Sequence, residues 1–150
     1  MSTERQVTIF TDGACQGNPG PGGWAAIICS GREKKEISGA DPATTNNRME
    51  MIAAIEALKT LAPGTEAQIF TDSTYLQKGI TLWLPSWKAR NWQTAAKTPV
   101  KNKDLWIQLE ELCSIRRVSW SWIEGHAGHP ENEHADQIAK TAIIGLAMRM

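Results

Sequence analysis

The feature that most constrains this chain is a four-residue repeat that ends two apolar segments in the same way. Ile-Phe-Thr-Asp occurs at residues 9–12 and again at 69–72, each time closing a segment with a strand-like pattern. If the two segments are parallel neighbours in one sheet, Asp12 and Asp72 emerge side by side at its carboxyl edge, about 4.8 Å apart. Two carboxylates that close repel each other unless a cation lies between them, so the repeat predicts a site for a hard ion such as Mg²⁺ or Mn²⁺. The alternative is that both aspartates only cap the segments that follow.

Hydrophobic periodicity predicts a mixed α/β or α+β layer fold around one sheet, in a single domain spanning residues 1–150. The segment 17–23, GNPGPGG, has the composition of a turn between the first two strands. Strands are predicted at 5–12, 24–30, 33–39, 67–72 and 118–123, and helices at 46–61, at 104–113 and from 129 to about 147, with short helical pieces between 73 and 103.

Two further acids are expected to face the sheet. Glu50 shares a helical face with small apolar residues, namely Ala53, Ala54 and Ala57. Asp136 shares the buried side of the last helix with Ala139 and Ile143. The alternative for Glu50 is a capping box that begins at Asn47.

The segment 83–103 contains no acid, and it carries five cations interleaved with tryptophans. This pattern is typical of a nucleic-acid strand site, although a solvated helix with core tryptophans fits it as well. The chain as a whole has no net charge, and its three cysteines are scattered without a CxxC pair. The N-terminal residues lack the apolar core of a signal peptide, and no apolar run is long enough to cross a bilayer. We therefore expect a cytoplasmic protein without membrane contact, and a monomer by default.

All three histidines lie in residues 125–136, GHAGHPENEHAD, which suggests a zinc site at first sight. His129 and His134 are five residues apart, about 140° around a helix, so they cannot face one ion together. No HExxH pattern is present. Zinc is therefore disfavoured.

Four segments, in order, resemble the bacterial ribonucleases H of type 1: TDGACQGNPGPGG at 11–23, TTNNRME at 44–50, TDSTY at 71–75 and GHAGHPENEHAD at 125–136. The resemblance implies a five-stranded mixed sheet with helices on both faces. It implies an endoribonuclease that cleaves the RNA strand of RNA–DNA hybrids with two Mg²⁺ ions, leaving 5′-phosphate and 3′-hydroxyl ends. The positions that match the metal-binding acids of the family are Asp12, Glu50, Asp72 and Asp136, and His126 matches its proton-carrying histidine.

The same resemblance implies how the hybrid would be held. The segment 83–103 matches the basic handle of the family, which lies along the DNA strand. RNA contacts are implied at Gly13, Cys15, Asn18 and Asn46, and DNA contacts at Thr45, Asn47, Tyr75, Trp83, Trp87, Lys88 and Arg90.

The chain departs from the family pattern in two places. Ala43 stands where relatives often have an arginine, and the handle carries alanines where relatives have more lysines. We therefore expect weaker hybrid binding than in the most basic members. A binding module without catalysis would require one of the four acids to be replaced, and none is. A different nuclease or integrase on the same fold is disfavoured by the handle and by TTNNRME.

Overall fold

The computed structural model describes residues 6–94, 96–123 and 130–149. One five-stranded mixed sheet lies at its centre, in the spatial order β3-β2-β1-β4-β5. β1, β2 and β3 form an antiparallel meander, and β4 and β5 add to β1 in parallel. The strands are β1 Gln6–Cys15, β2 Gly20–Ser30, β3 Glu33–Thr44, β4 Glu66–Thr71 and β5 Arg117–Trp122.

The Ile-Phe-Thr-Asp repeat lies on two neighbouring parallel strands, which meets the condition for its two aspartates to emerge side by side. Ile9 is the register partner of Ile69, and Phe10 is the partner of Phe70. The two isoleucines are buried, and the two phenylalanine rings stack with their centroids 5.1 Å apart. Both aspartates therefore reach the same edge of the sheet.

Part of the glycine-rich segment is strand rather than turn, which corrects the prediction for residues 17–23. β2 already begins at Gly20, and Gly22 pairs with Cys15 on one side and Asp41 on the other. Gly23 lies under the last helix, where an added Cβ would collide with the carbonyl oxygen of Ala139. These glycines extend the strand because another backbone must approach closely, so tertiary packing outweighs their turn propensity.

Helices cover both faces of the sheet, as expected. Alternate residues of β2 point to opposite sides, so that Ala26 and Ile28 join the core under α1, whereas Ala25 and Ile27 pack with α5. A π-helical turn at Gly79–Trp83 joins α2 to α3. The helices are α1 Asn46–Lys59, α2 Thr74–Lys78, α3 Leu84–Ala89, α4 Lys103–Ser114 and α5 Pro130–Arg149. No helix among the described residues is long and apolar enough to cross a membrane.

Candidate active site and nucleic-acid interface

Three carboxylates converge at the carboxyl edge of the central parallel strands. Asp12 lies within β1, opposite Ala25, and Asp72 directly follows β4. Glu50 reaches the same point from the first turns of α1. One oxygen from each of the three side chains lies within 4.8 Å of the others. This is the only such cluster of potential metal ligands in the part of the chain that the structure describes.

The position of Glu50 depends on a close approach between α1 and β1. An added Cβ on Gly13 would lie 2.6 Å from the backbone nitrogen of Glu50, so a side chain at Gly13 would push the helix away. The helix is capped by Thr45, whose Oγ1 accepts the Arg48 N–H at 3.2 Å. The capping box that begins at Asn47 is therefore wrong. Glu50 is left to face the sheet, and only 5% of its surface is exposed.

Burial and mutual repulsion disfavour the charged forms of the clustered carboxyl groups. Burial raises the pKa of Asp12 to about 8, helped by the charges of Asp72 and Asp136. Burial also raises the pKa of Glu50 well above its ordinary value, with further contributions from Asp12 and Asp72. Within the described residues, Glu50 Oε1 is buried and accepts no hydrogen bond. A buried carboxylate oxygen without a donor, beside two other carboxylates, fits a hard divalent cation.

Asp136 lies beside this cluster rather than inside the 4.8 Å group. It is half-buried in α5, and its side chain hydrogen-bonds with Asp12, which helps to raise the pKa of Asp12. Its Oδ2 also accepts an ion pair from Lys140 Nζ at 3.0 Å. Lys140 thus supplies a positive charge at the rim of the site, and the hydrogen bond to Asp136 raises the pKa of the lysine.

Of the three histidines in the 125–136 segment, the structure describes only His134. His126, the predicted proton carrier, and His129 lie outside the described residues. His134 is exposed, and its Nε2 lies 2.6 Å from Glu36 Oε2 on β3. The sequence offered no role for this histidine, and the structure places it in a contact between α5 and the edge strand.

The predicted RNA contacts gather near the N-terminus of α1. Asn18 Oδ1 accepts the backbone N–H of Asn46 at 3.2 Å, which ties the glycine-rich loop to the helix start. The thiol of Cys15 faces the carbonyl oxygens of Gly20 and Thr44, at 3.5 and 3.4 Å. Because the thiol already contacts two carbonyl oxygens of the protein, the backbone of Cys15 is the expected contact with RNA. Asn47, a predicted DNA contact, is half-buried in the same first turn.

The predicted handle, residues 83–103, begins at the last residue of the π-helical turn, includes α3 and ends at the first residue of α4. Tyr75, Trp83 and Trp87 are half-buried and form a chain of ring contacts around Trp106, with centroids 5.3–5.8 Å apart. The tryptophans therefore belong in part to the core, as the alternative interpretation held, and in part to the surface. Sequence reasoning missed Trp106, which is fully buried and supports the other rings.

The two predicted phosphate contacts of the handle differ in their surroundings. Lys88 Nζ forms a 2.6 Å ion pair with Glu110 on α4. Arg90 is exposed. A phosphate would compete with a carboxylate for Lys88, so the arginine is the better placed of the two cations.

A polar network that no sequence pattern indicated joins the handle to the helix that carries Glu50. The Arg48 guanidinium donates two hydrogen bonds to Asp104, at 3.1 and 2.8 Å, and a third to Asn102 Oδ1 at 3.2 Å. Asn102 and Trp106 both donate to the Tyr75 hydroxyl. The Arg48 hydrogen bonds hold the pKa of Asp104 below its usual range. Arg48 and Asp104 are 56 residues apart, and no periodic pattern pairs residues at that distance.

Comparison with known proteins agrees with this geometry. The family model for RNase H matches residues 4–144. Ribonuclease H of Aromatoleum aromaticum is 58% identical over 138 residues, covering 92% of this chain and 90% of that protein. Ribonuclease H of Thiobacillus denitrificans is 54% identical, covering 92% and 93%. The structure of LC9-RNase H1, a type 1 RNase H with the type 2 active-site motif, matches with a TM-score of 0.86 and 31% identity, over 97% of this chain and 75% of that one. With matches over nearly its whole length and three carboxylates converging at the sheet edge, the chain belongs to the ribonuclease H family of nucleases.

Proposed function

We propose that the protein is a metal-dependent endoribonuclease that hydrolyses the RNA strand of RNA–DNA hybrids and leaves 5′-phosphate and 3′-hydroxyl ends. The observation that carries the proposal is the convergence of the Asp12, Glu50 and Asp72 carboxylates in a chain of the ribonuclease H family. LC11-RNase H1, which shares the fold with a TM-score of 0.71 and 23% identity, has been solved in complex with an RNA/DNA hybrid.

The three clustered acids and Asp136 are the proposed metal ligands, with Mn²⁺ as an alternative to Mg²⁺. When bound, two such ions would lower the pKa of the attacking water and stabilise the departing 3′ oxygen. The raised pKa of Asp12 and of Glu50 means that both must lose a proton before they ligate. Metal binding should therefore release protons and strengthen as the pH rises. His126 is proposed to carry protons beside the metals and to assist product release.

Recognition of the hybrid is proposed to rest on shape rather than base sequence. The 2′-hydroxyl groups of RNA are both donors and acceptors, and they line a wide minor groove. Gly13, Cys15, Asn18 and Asn46 would meet the RNA strand there, with backbone groups and amides that suit such a partner. The DNA strand would cross the first turn of α1 at Thr45 and Asn47 and continue along the handle. There Tyr75 of α2 would line the channel together with Trp83 and Trp87, and Lys88 and Arg90 would meet phosphates.

The decisive experiment compares wild type with Asp12→Asn on RNA–DNA, RNA–RNA and DNA–DNA duplexes of the same sequence, with Mg²⁺ or with EDTA. We expect wild type to cleave only the hybrid, only with metal, and only in its RNA strand. We expect Asp12→Asn to bind the hybrid without cleaving it. Cleavage of DNA–DNA, or full activity of the variant, would refute the proposal. End-labelled products report whether the phosphate remains on the 5′ end.

A cytoplasmic monomer is part of the same proposal. Among the described residues, the exposed large apolar side chains lie in separate parts of the chain: Leu82 in the π-helical turn, Ile115 just after α4, Trp122 at the end of β5 and Ile144 in α5. Exposed apolar side chains that are spread along the chain in this way do not by themselves indicate a dimer surface. Sedimentation of the purified protein at micromolar concentration tests the monomer.

The substitution Ala43→Arg should strengthen hybrid binding and steepen its salt dependence. Ala43 is exposed just before the N-terminus of α1, and its N–H donates to Asp41 Oδ1. One added phosphate contact should increase the slope of log K against log salt by about 0.9. The matched control is Ala62→Arg, because Ala62 is an exposed alanine beyond the opposite end of the same helix. Equal slopes for the two variants would contradict a phosphate site near Ala43.

A further inference from the structure

The two aspartates of the repeat are held by different means, although their local sequences are the same. The ladder between β1 and β2 continues past Asp12, which pairs with Ala25, as far as Cys15. The ladder between β4 and β5 stops earlier, at the pair Thr71 and Trp122. Asp72 is therefore the first residue beyond β4, whereas Asp12 lies inside β1.

Two side chains hold the peptide group between Asp72 and Ser73. The indole Nε1–H of Trp122 donates to the carbonyl oxygen of Asp72 at 3.1 Å. On the other side of the same peptide group, the N–H of Ser73 donates to Thr71 Oγ1 at 3.0 Å. Because a peptide group is planar, two hydrogen bonds to its two polar atoms fix the orientation of the whole plane. The plane in turn sets the direction in which the Asp72 side chain leaves the backbone.

Ser73, whose N–H belongs to this peptide group, is fixed as well. Ser73 is buried and caps α2, with its Oγ accepting the Leu76 N–H at 3.1 Å. The chain thus passes from strand to helix at Asp72 with a restrained peptide on its carboxyl side. The Ile123 N–H, which donates to the Thr71 carbonyl at 2.8 Å, restrains the peptide before it.

We propose that Trp122 and Thr71 are positioning residues that clamp the Asp72–Ser73 peptide and thereby hold the Asp72 carboxylate in the metal-binding cluster. This inference rests on the proposed function, because it concerns the affinity of that site for its metal. Outer groups that orient ligands typically contribute 10- to 100-fold to metal affinity. The clamp acts through Asp72, and neither residue is a proposed metal ligand.

Thr11 supplies an internal control for the clamp. It occupies the position in the first repeat that Thr71 occupies in the second, and both are fully buried. Within the described residues, the Thr11 hydroxyl has no hydrogen-bond partner. The two threonines differ because the β1–β2 ladder already holds the backbone of Asp12, so a hydrogen bond from the Thr11 hydroxyl is not needed there.

The test measures Mn²⁺ binding directly by calorimetry, without nucleic acid, on wild type, Trp122→Phe, Thr71→Val and Thr11→Val. The first variant keeps an aromatic ring and loses the N–H, and the two valines keep the shape of threonine and lose the hydroxyl. We expect Trp122→Phe and Thr71→Val each to weaken Mn²⁺ binding about tenfold. Thr11→Val should bind as wild type does. In cleavage assays the metal concentration for half-maximal rate should rise by the same factor, while hybrid affinity in EDTA stays unchanged.

The outcomes separate this inference from the proposed function. If wild type binds Mn²⁺ and either clamp variant binds it equally well, the clamp is refuted and the nuclease proposal stands. Equal weakening by Thr11→Val and Thr71→Val would also refute it, because the effect would then be a general response of the core. A wild-type protein that binds no Mn²⁺ would refute the proposed function itself. Thermal unfolding of each variant establishes that the compared proteins are folded.

Discussion

Glu50→Gln is expected to lower the rate of hybrid cleavage by about 10³-fold or more, which corresponds to roughly 4 kcal/mol of lost transition-state stabilisation. Glu50 is almost fully buried, and its Oε1 accepts no hydrogen bond among the described residues. An amide keeps the shape of the side chain but offers a poor ligand and no charge. Because burial already favours the protonated acid, the metal-free fold should tolerate glutamine well. Single-turnover cleavage at saturating hybrid measures the effect.

The matched control is Glu56→Gln, on the same helix. Glu56 accepts an exposed ion pair from Lys59 at 3.1 Å, which contributes little to stability. This variant should cleave at the wild-type rate. Both variants should bind the hybrid with similar affinity in EDTA. Cleavage by Glu50→Gln within tenfold of wild type would show that this acid is not an essential ligand.

The metal-free protein is expected to lose stability as the pH rises from about 4 to about 8, by roughly 5 °C or more in Tm. The pKa of Asp12 rises from 3.8 in the unfolded chain to about 8 in the folded protein, chiefly because of burial. The folded state therefore holds this proton more tightly than the unfolded state. The resulting stabilisation is complete below pH 3.8 and is lost as the pH passes through about 8. Glu50 acts in the same direction, because its pKa is also raised.

Added metal should remove this pH dependence. An ion that binds only the folded state adds about 2.7 kcal/mol at a concentration one hundred times its Kd. We expect Mg²⁺ or Mn²⁺ to raise Tm strongly at pH 8 and little at pH 5, where the carboxyl groups hold their protons. Thermal unfolding in EDTA across this range, with and without metal, measures both effects. In EDTA, Asp12→Asn should reduce the dependence of Tm on pH. A wild-type Tm that rises with pH would contradict the raised pKa of Asp12 as its cause. The ion pair between Asp104 and Arg48 does not contribute to the change between pH 4 and pH 8. The pKa of Asp104 is lowered, so the stabilisation from this ion pair is lost only in more acidic solution.

Local pattern was sufficient for most of the architecture. The repeat predicted two strands whose aspartates would meet if the strands were parallel neighbours, and the register of Ile9 with Ile69 shows that they are. The run of small residues after Glu50 predicted a helix face against the sheet, and Ala53, Ala54 and Ala57 are fully buried there. These features are readable because side-chain periodicity follows directly from backbone geometry.

Close contacts between backbones could not be predicted from periodicity. The glycine-rich segment was predicted as a turn, but glycine is also the residue that allows two backbones to touch, and only the packing of α5 on Gly23 distinguishes the two uses. The helix start at Asn46 was predicted correctly, yet the cap belongs to Thr45 rather than Asn47. Local sequence offers several acceptors within one turn, and the fold selects one of them.

By itself the sequence determined which residue types meet at the sheet edge, because strand order and periodicity carry Asp12, Glu50 and Asp72 to one place. Only the tertiary structure decided how each is held. Asp12 is fixed by its ladder, Glu50 by the close approach over Gly13, and Asp72 by side chains from two strands. The hydrogen bonds from Arg48 to Asn102 and Asp104 were likewise decided only by the tertiary structure. Pairings between residues distant in the chain leave no periodic trace, because they depend on how the elements pack rather than on the conformation of any one of them.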